Sequence, residues 1–273
     1  MQRVEMRFRQ IHLDFHLSEA IADIGGQFDA EEFAATLAKA RVNSVTAFAR
    51  CHHGWLYYDS KLFPERIHPN LRNKNLLLEQ IEACHRKDIR VPIYTSIGFD
   101  NYSADRRPEW RVIDGNGRLQ GGGLHEPHFY KFMCVNSPYR DFMKEHMLEV
   151  MQTLPTDGWF IDIVPPEYDC SCLYCRAGMQ KKGLDFSKRE DRLKHGRMSI
   201  AEFKREISAL IRANKPDCSI FYNAGHIGPY VRETMPDYTH FELESVPSAG
   251  WGYVHFPLTM RYARNLGLDC LGM

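Results

Sequence analysis

The sequence predicts an α/β fold, specifically a (β/α)8 TIM-type barrel that stops after its seventh strand. Apolar runs rich in Val, Ile, Phe and Tyr alternate along the chain with segments of helical spacing. The chain has 273 residues, close to the roughly 250 residues of such a barrel. No change in composition marks a second domain, so residues 1–273 are interpreted as one barrel domain that is incomplete at its C-terminus.

The predicted elements follow one another in strand–helix order. Each strand is a short apolar run and each helix repeats apolar residues at a spacing near 3.6. The predicted strands are residues 9–16, 42–51, 90–99, 158–164, 219–224, 238–245 and 268–272. The predicted helices are residues 28–41, 75–87, 139–154, 199–214 and 256–266.

Local signals set several of these boundaries. Asp29 is a plausible N-cap of the first helix, and Ser199 with Glu202 has the capping-box spacing of a helix start. Residues 100–138 are expected to be a long functional loop and residues 181–197 a solvated excursion. A complete barrel needs one more strand and two more helices, so the chain is expected to be a fragment with an open sheet edge.

The charge balance argues against nucleic-acid and membrane partners. Lys plus Arg equals Asp plus Glu, 35 each, so the net charge is zero. The first residues contain no apolar run of the signal-peptide type, and no segment approaches the roughly 18 apolar residues of a membrane span. A cytoplasmic location is therefore expected.

The carboxylates on two strands carry the catalytic hypothesis. Asp162 ends the fourth strand, where the active rim of a barrel lies. On the sixth strand, His240, Glu242 and Glu244 are predicted to share one face, because side chains alternate along a strand. Cleavage of a glycosidic bond needs two such carboxyl groups. We favour Glu244 as the acid/base and Glu242 as its neighbour; the alternative is a buried salt network with barrel arginines.

A cluster of cysteines suggests a metal. Cys170, Cys172 and Cys175 lie within six residues, and structural zinc needs four ligands. Cys134 is the favoured fourth ligand and Cys51 a weaker one. The competing interpretation is a set of free thiols. A closed set of four thiolates would be structural, and no organic cofactor is expected.

Polar and aromatic residues near strand ends are candidate substrate contacts. His12, Asp14 and His16 alternate on the first strand, where they could bind sugar hydroxyls, hold a hydrolytic metal or form internal hydrogen bonds. Further candidates are expected at the same rim, although the aromatic ones could simply pack under the loop. They are Arg50, His52, His53, Trp55, Asn223, His226 and His240.

Several of these segments resemble a known group of enzymes. They are similar to glycoside hydrolases that combine an N-terminal barrel with a β-galactosidase-like trimerisation domain and are related to α-L-fucosidase-like proteins. The resemblance implies a nucleophilic Asp at the end of the fourth strand, a position that Asp162 fills, and members that continue well past residue 273. The segments that carry it are residues 11–16, 49–54, 158–162, 240–245 and the tail 250–273.

The thiol pattern also resembles the family 42 β-galactosidases. That resemblance implies zinc bound by Cys134, Cys170, Cys172 and Cys175. The acid/base Glu of that family, which lies two residues after its Asp, is replaced here by Val164. The sequence therefore departs from the β-galactosidase mechanism.

Together the residues and the resemblance predict a retaining exo-glycosidase that acts on fucose-like or galactose-like sugars. Asp162 would be the nucleophile and Glu244 the acid/base. Two alternatives remain: a metal-dependent hydrolase that uses His12, Asp14 and His16, and a non-catalytic carbohydrate-binding barrel. The expected partner is a carbohydrate, with homo-oligomers formed through regions beyond this chain.

Overall fold

The protein is organised around a curled parallel sheet. A computed structural model describes residues 4–123, 126, 128–248 and 250–272. Five strands pair in parallel in the order of the chain, and two further strands form a second parallel pair. The five are β1 (Gln10–His12), β2 (Ser44–Arg50), β3 (Pro92–Ser96), β4 (Gly158–Asp162) and β5 (Ser219–Tyr222); the pair is β6 (His240–Leu243) and β7 (Asp269–Gly272).

The two sheets meet beside β5. The backbone N–H of Thr239, just before β6, donates to the carbonyl of Ile220 in β5 at 3.0 Å. On the far side, the amide of Gln10 in β1 donates to Glu242 in β6 at 2.7 Å. These contacts make an α/β architecture whose sheet curls through five strands toward β6 and β7.

Helices lie between successive strands in chain order, with a 3-10 helix (Pro229–Asp237) in the place of an α-helix between β5 and β6. Strands β2 to β5 are buried along their whole length, as expected for parallel strands covered on both faces. None of the helices in the described ranges combines the length and hydropathy that a bilayer crossing requires. The helices are α1 (Ala30–Lys39), α2 (Leu76–His85), α3 (Asn101–Arg106), α4 (Tyr139–Thr153), α5 (Leu173–Lys181), α6 (Arg189–Asn214) and α7 (His255–Arg264).

Each of the seven predicted strands has a counterpart in the structure. The predicted cap is also present, because Asp29 Oδ1 accepts the backbone N–H of Glu32 at 2.8 Å. The first strand is shorter than predicted and ends at His12, four residues before His16. Of His12, Asp14 and His16, only His12 therefore lies on the strand, so strand alternation does not place the other two.

Three connecting segments differ from the prediction in their secondary structure. Residues 100–138 contain α3, which Asp100 caps by accepting the N–H of Ser103 at 2.7 Å. Ser199 does not begin a helix: it lies inside α6, where its hydroxyl donates to the carbonyl of His195 at 2.8 Å. The predicted solvated excursion instead holds the start of α6, anchored by the buried Arg192.

Candidate active site

A cavity of about 340 Å³ opens at the carboxyl ends of the strands. Chemistry in parallel α/β folds is found at this end, because the loops that carry side chains converge there. Seven of the residues predicted from the sequence meet in it, together with four that were not singled out. The lining is His12, Asp14, His16, His52, Tyr94, Phe160, Asp162, Ile163, Asn223, Glu244 and Val246.

Aromatic rings from neighbouring strands form the wall of this cavity on its sheet side. Phe48 in β2 stacks on Tyr94 in β3, with ring centroids 3.9 Å apart and planes 10° apart. Tyr94 is paired in register with Phe160 in β4, 5.6 Å away. His12 packs its ring against all three. The cavity is thus closed below and open toward the loops.

Asp162 is the most deeply held carboxylate of the cavity. It is 6% exposed, and its Oδ1 accepts the backbone N–H of Ile163 at 2.7 Å and the amide of Asn223 at 2.8 Å. Its Oδ2 accepts the hydroxyl of Tyr94. Burial raises the pKa of Asp162 to about 6; the three hydrogen bonds oppose this shift and the nearby charge of Glu244 adds to it.

Asn223 connects the two predicted catalytic carboxylates. Its amide nitrogen donates to Asp162 Oδ1 at 2.8 Å and to Glu244 Oε2 at 3.1 Å. Because both contact one nitrogen, Asp162 Oδ1 and Glu244 Oε2 lie no more than about 5.9 Å apart, a close approach of the kind that a retaining pair needs. Glu244 lies just after β6 and is half-buried.

The residue after Asp162 has an unusual backbone. Ile163 has φ = 56°, in the left-handed region that β-branched residues rarely adopt. This conformation accompanies the hydrogen bond from its N–H to Asp162. Gly98 packs directly against it: a Cβ at position 98 would lie 2.5 Å from the carbonyl oxygen of Ile163. Strained backbone of this kind is concentrated at functional sites.

The first-strand residues meet at the cavity, although not through a strand. Asp14 Oδ1 lies 3.4 Å from His12 Nε2 and 3.6 Å from His16 Nε2. The Asp14 side chain is 77% exposed. Among the described residues, His12, Asp14 and His16 do not form a group compact enough to hold a metal ion. The four thiols described below do form such a group.

Of the residues predicted after β2, His52 alone lines the cavity. His53 packs on the ring of Tyr130, 5.2 Å away. The Trp55 indole donates to Glu19 at 3.2 Å and packs on Tyr102. Both residues therefore lie beside the cavity and do not form part of its wall.

Three other predicted contacts lie in the interior or at the rim. Arg50 is fully buried and pairs with Asp100 at 3.3 Å beneath the loops. His240 and Glu242 pair with each other at 2.7 Å inside the sheet. His226 is exposed and lies 3.2 Å from His255. Glu242, predicted as the neighbour of Glu244, is bonded to His240 and Gln10 inside the sheet.

Tyr94 was the main site residue that the sequence reasoning missed. Ser96 pairs in register with Asp162, and alternation puts Tyr94 on the same face as Ser96. The predicted strand ran to residue 99, three residues past the observed end at Ser96, so the alternation could not identify Tyr94 from the strand end.

The four predicted thiols converge in a separate site below the rim. Cys134, Cys170, Cys172 and Cys175 are buried, and their sulfurs lie within 4.8 Å of one another. Individual Sγ–Sγ distances are 3.4 Å from Cys134 to Cys175 and 3.6 Å from Cys172 to Cys134. A tetrahedral zinc with Zn–S bonds of about 2.3 Å places its sulfurs about 3.8 Å apart, so the donor set fits such an ion.

Comparisons with known proteins show what this chain is similar to. A family model described as Hypothetical glycosyl hydrolase 6 matches residues 29–163. A search of the curated proteins gives no match. Among solved structures, a β-galactosidase from Bacillus circulans sp. alkalophilus has a TM-score of 0.61 at 16% identity, over 94% of this chain and 42% of that one. At that identity the likeness shows the fold alone.

A second solved structure is much more similar. The α-L-fucosidase isoenzyme 2 from Paenibacillus thiaminolyticus has a TM-score of 0.91 and 44% sequence identity, over 98% of this chain. The chain spans 40% of the length of that fucosidase. The resemblance predicted from the sequence is confirmed: over nearly its whole length the chain is similar to part of an α-L-fucosidase, and its residues 29–163 match a glycosyl hydrolase family model.

Proposed function

We propose that this chain carries the active site of a retaining exo-glycosidase for fucose-like sugars, with galactose-like sugars as the nearest alternative. The observation that carries the proposal is the contact of Asn223 with both Asp162 and Glu244. It brings two carboxylates together in one cavity at a separation compatible with the roughly 5–5.5 Å of retaining enzymes.

In the first step Asp162 attacks the anomeric carbon and forms a glycosyl ester. Its three donors, Ile163 N–H, Asn223 and Tyr94, hold the carboxylate in one orientation and stabilise its charge. Glu244 protonates the departing glycosidic oxygen. In the second step Glu244 takes a proton from water, which attacks the anomeric carbon and releases Asp162.

The sugar preference rests on the comparison and on the cavity. The relative with 44% identity is described as an α-L-fucosidase. A cavity of about 340 Å³ that is closed at its base suits a single terminal sugar, which supports exo cleavage. Its wall offers imidazoles and Asp14 for hydroxyls, and the apolar side chains of Phe160, Ile163 and Val246 for a carbon face or methyl group.

The metal-dependent alternative has less support. His12 and His16 each approach Asp14, but the three do not form a compact ligand set. The non-catalytic alternative is a sugar-binding barrel, which would bind sugar but hydrolyse no glycoside.

We also infer that the sheet is part of one (β/α)8 barrel. The parallel order β1 to β5, the link from Thr239 to β5 and the link from Gln10 to β6 support this arrangement. Residues 1–273 would then form a single, C-terminally incomplete barrel domain.

The thiol cluster is proposed to hold a structural zinc. When bound, the ion would cross-link the loop before α4, which carries Cys134, to the loop and helix after β4, which carry the other three. Four thiolates leave no open coordination position, so its contribution would be to stability. Reduced thiols fit a cytoplasmic location, and homo-oligomers through regions outside this chain also remain part of the proposal.

Hydrolysis of a panel of aryl glycosides tests the proposed function. The protein should turn over an α-L-fucoside, or a galactoside, and the Asp162→Asn variant should lose more than about a thousandfold in kcat/KM. Equal turnover by the two proteins would remove Asp162 from the mechanism. Binding of the free sugar without turnover of any glycoside would favour the binding-module alternative.

A further inference from the structure

Two imidazoles in the cavity wall form a stacked pair whose chemical roles differ. The rings of His16 and His52 have centroids 3.9 Å apart and planes 13° apart, and both line the cavity. A neutral imidazole donates through one nitrogen and accepts through the other. The hydrogen bonds around each ring fix which nitrogen does which.

The hydrogen bonds around His52 assign its proton to Nδ1. That nitrogen lies 2.7 Å from the Ser96 hydroxyl and 3.5 Å from the Tyr94 hydroxyl. Each hydroxyl has an acceptor of its own, the carbonyl of Phe99 at 3.1 Å from Ser96 and the carboxylate of Asp162 beside Tyr94. With the two hydroxyl protons on those acceptors, both hydroxyl oxygens accept from His52 Nδ1. This assignment leaves a lone pair on His52 Nε2.

The proton of His16 is held on the opposite nitrogen. The backbone N–H of His52 donates to His16 Nδ1 at 3.2 Å, and a backbone N–H can act only as a donor. Nε2 of His16 therefore carries the hydrogen. Burial lowers the pKa of His16 to about 4 and lowers that of His52 well below its usual value, so both rings are neutral at neutral pH.

We propose that this pair recognises two neighbouring substrate hydroxyls by the direction of their hydrogen bonds. His52 Nε2 accepts a hydrogen bond from the first hydroxyl, and His16 Nε2–H donates a hydrogen bond to the second. The inference rests on the proposed function. His52 Nε2 lies 3.7 Å from Oδ2 of Asp162, the residue proposed to attack the anomeric carbon. The hydroxyl that donates to His52 is then the one on C2, and the hydroxyl that accepts from His16 is on C3.

Fluorinated sugars test this polarity, because fluorine can accept a hydrogen bond but cannot donate one. The measurement is the inhibition constant of L-fucose, its 2-deoxy and 2-fluoro analogues, and the corresponding pair at C3. At C2, the fluoro and deoxy analogues should bind equally weakly, both roughly five- to tenfold more weakly than L-fucose. At C3, the fluoro analogue should bind severalfold more tightly than the deoxy analogue.

Asparagine variants assign each effect to its ring. The amide of His52→Asn can still donate near the Nδ1 position toward Ser96 but lacks the Nε2 acceptor. The amide oxygen of His16→Asn can still accept the N–H of His52 but lacks the Nε2 donor. In His52→Asn, the C2 analogues should bind as tightly as L-fucose does. In His16→Asn, the fluoro and deoxy analogues at C3 should bind equally well. His85→Asn, on α2 and outside the cavity, should keep the wild-type pattern.

A second readout needs no substrate. Nitrogen-15 NMR of the imidazoles should find the proton of His52 on Nδ1 and that of His16 on Nε2. The opposite tautomers, or a 2-fluoro analogue that binds better than the 2-deoxy one, would overturn the proposal while leaving fucosidase activity intact. Failure of every fucose analogue to bind, together with no turnover of fucosides, would instead refute the proposed function.

Discussion

The side-chain amide of Asn223 lies 2.8 Å from Asp162 Oδ1 and holds that buried carboxylate in place. The same nitrogen reaches Glu244 at 3.1 Å, so one residue positions both groups that the chemistry requires. Asn223 is itself 5% exposed and cannot move far, and its own Oδ1 accepts the backbone N–H of Gly225 at 2.9 Å. The arrangement makes the site sensitive to a change at any of these residues.

Replacement of Asn223 by Ala should lower kcat by roughly ten- to a hundredfold, with a smaller effect on KM. The reason is that a hydrogen bond to a charged group, worth about 1.5–3 kcal/mol, would be lost. Steady-state kinetics on an aryl glycoside measure the effect. A variant with unchanged kcat would show that the amide does not position the carboxylates.

Replacement of Tyr94 by Phe should raise the pKa of Asp162 further. The Tyr94 hydroxyl donates to the Asp162 carboxylate and lowers its pKa, whereas burial raises that pKa. Without the hydroxyl, the effect of burial is opposed by fewer hydrogen bonds. The acidic limb of the kcat/KM profile, which we expect near pH 6, should move up by about one unit. An acidic limb that stays in place would mean that another group controls it.

Replacement of Asp162 by Asn should stabilise the protein at neutral pH. Burial raises the pKa of Asp162 to about 6 from an ordinary 3.8, so the folded protein holds this proton more tightly than the unfolded chain. The unfolding free energy of the wild-type protein therefore falls by up to about 3 kcal/mol as the pH rises from about 4 to about 6. Urea unfolding should show little difference near pH 3.5 and a more stable variant at pH 7.5. Equal stability at both pH values would contradict the assignment.

Replacement of Gly98 by Ala should disturb the strained turn at Ile163. A Cβ at position 98 would press on the side chain and carbonyl oxygen of Ile163, whose N–H holds Asp162. We expect a loss of about 1–3 kcal/mol in unfolding free energy together with reduced kcat. Gly117→Ala provides a control, because nothing lies within 4 Å of a Cβ there, although its own φ of 78° adds some strain. If Gly98→Ala is as active and stable as wild type, the close approach has no role.

Removal of the zinc ligands should affect stability before activity. Metal analysis of the purified protein should give about one zinc per chain. Cys134→Ser should lose the ion and lower Tm by roughly 10 °C, since loss of a structural metal removes several kcal/mol. Cys218→Ser is the matched control, because Cys218 is buried but donates only to the carbonyl of Thr156. Zinc retained in Cys134→Ser, or absent from the wild-type protein, would contradict the site.

Local sequence signals located much of the fold but not the pairing of its side chains. Asp162 could be placed at a strand end because its apolar run is short and ends in a carboxylate, and the four cysteines because their spacing is compact. The helical start of α6 was missed, since its charged face looks solvated while Arg192 and His195 turn inward. The contact of Glu242 with Gln10 was not predicted, because the two residues lie 232 positions apart in the sequence. Such contacts depend on how the sheet curls, which no local pattern encodes.

Chemical rescue tests the central claim most directly. Asp162→Gly should hydrolyse an activated aryl fucoside very slowly, and added azide should restore turnover by occupying the vacated position. The product should be a glycosyl azide of inverted anomeric configuration, because azide attacks from the side where Asp162 attacks in the wild type. Glu244→Ala, treated in the same way, should give the azide of retained configuration. A retained product from Asp162→Gly, or no rescue of either variant, would contradict the assignment of Asp162 as nucleophile and Glu244 as acid/base.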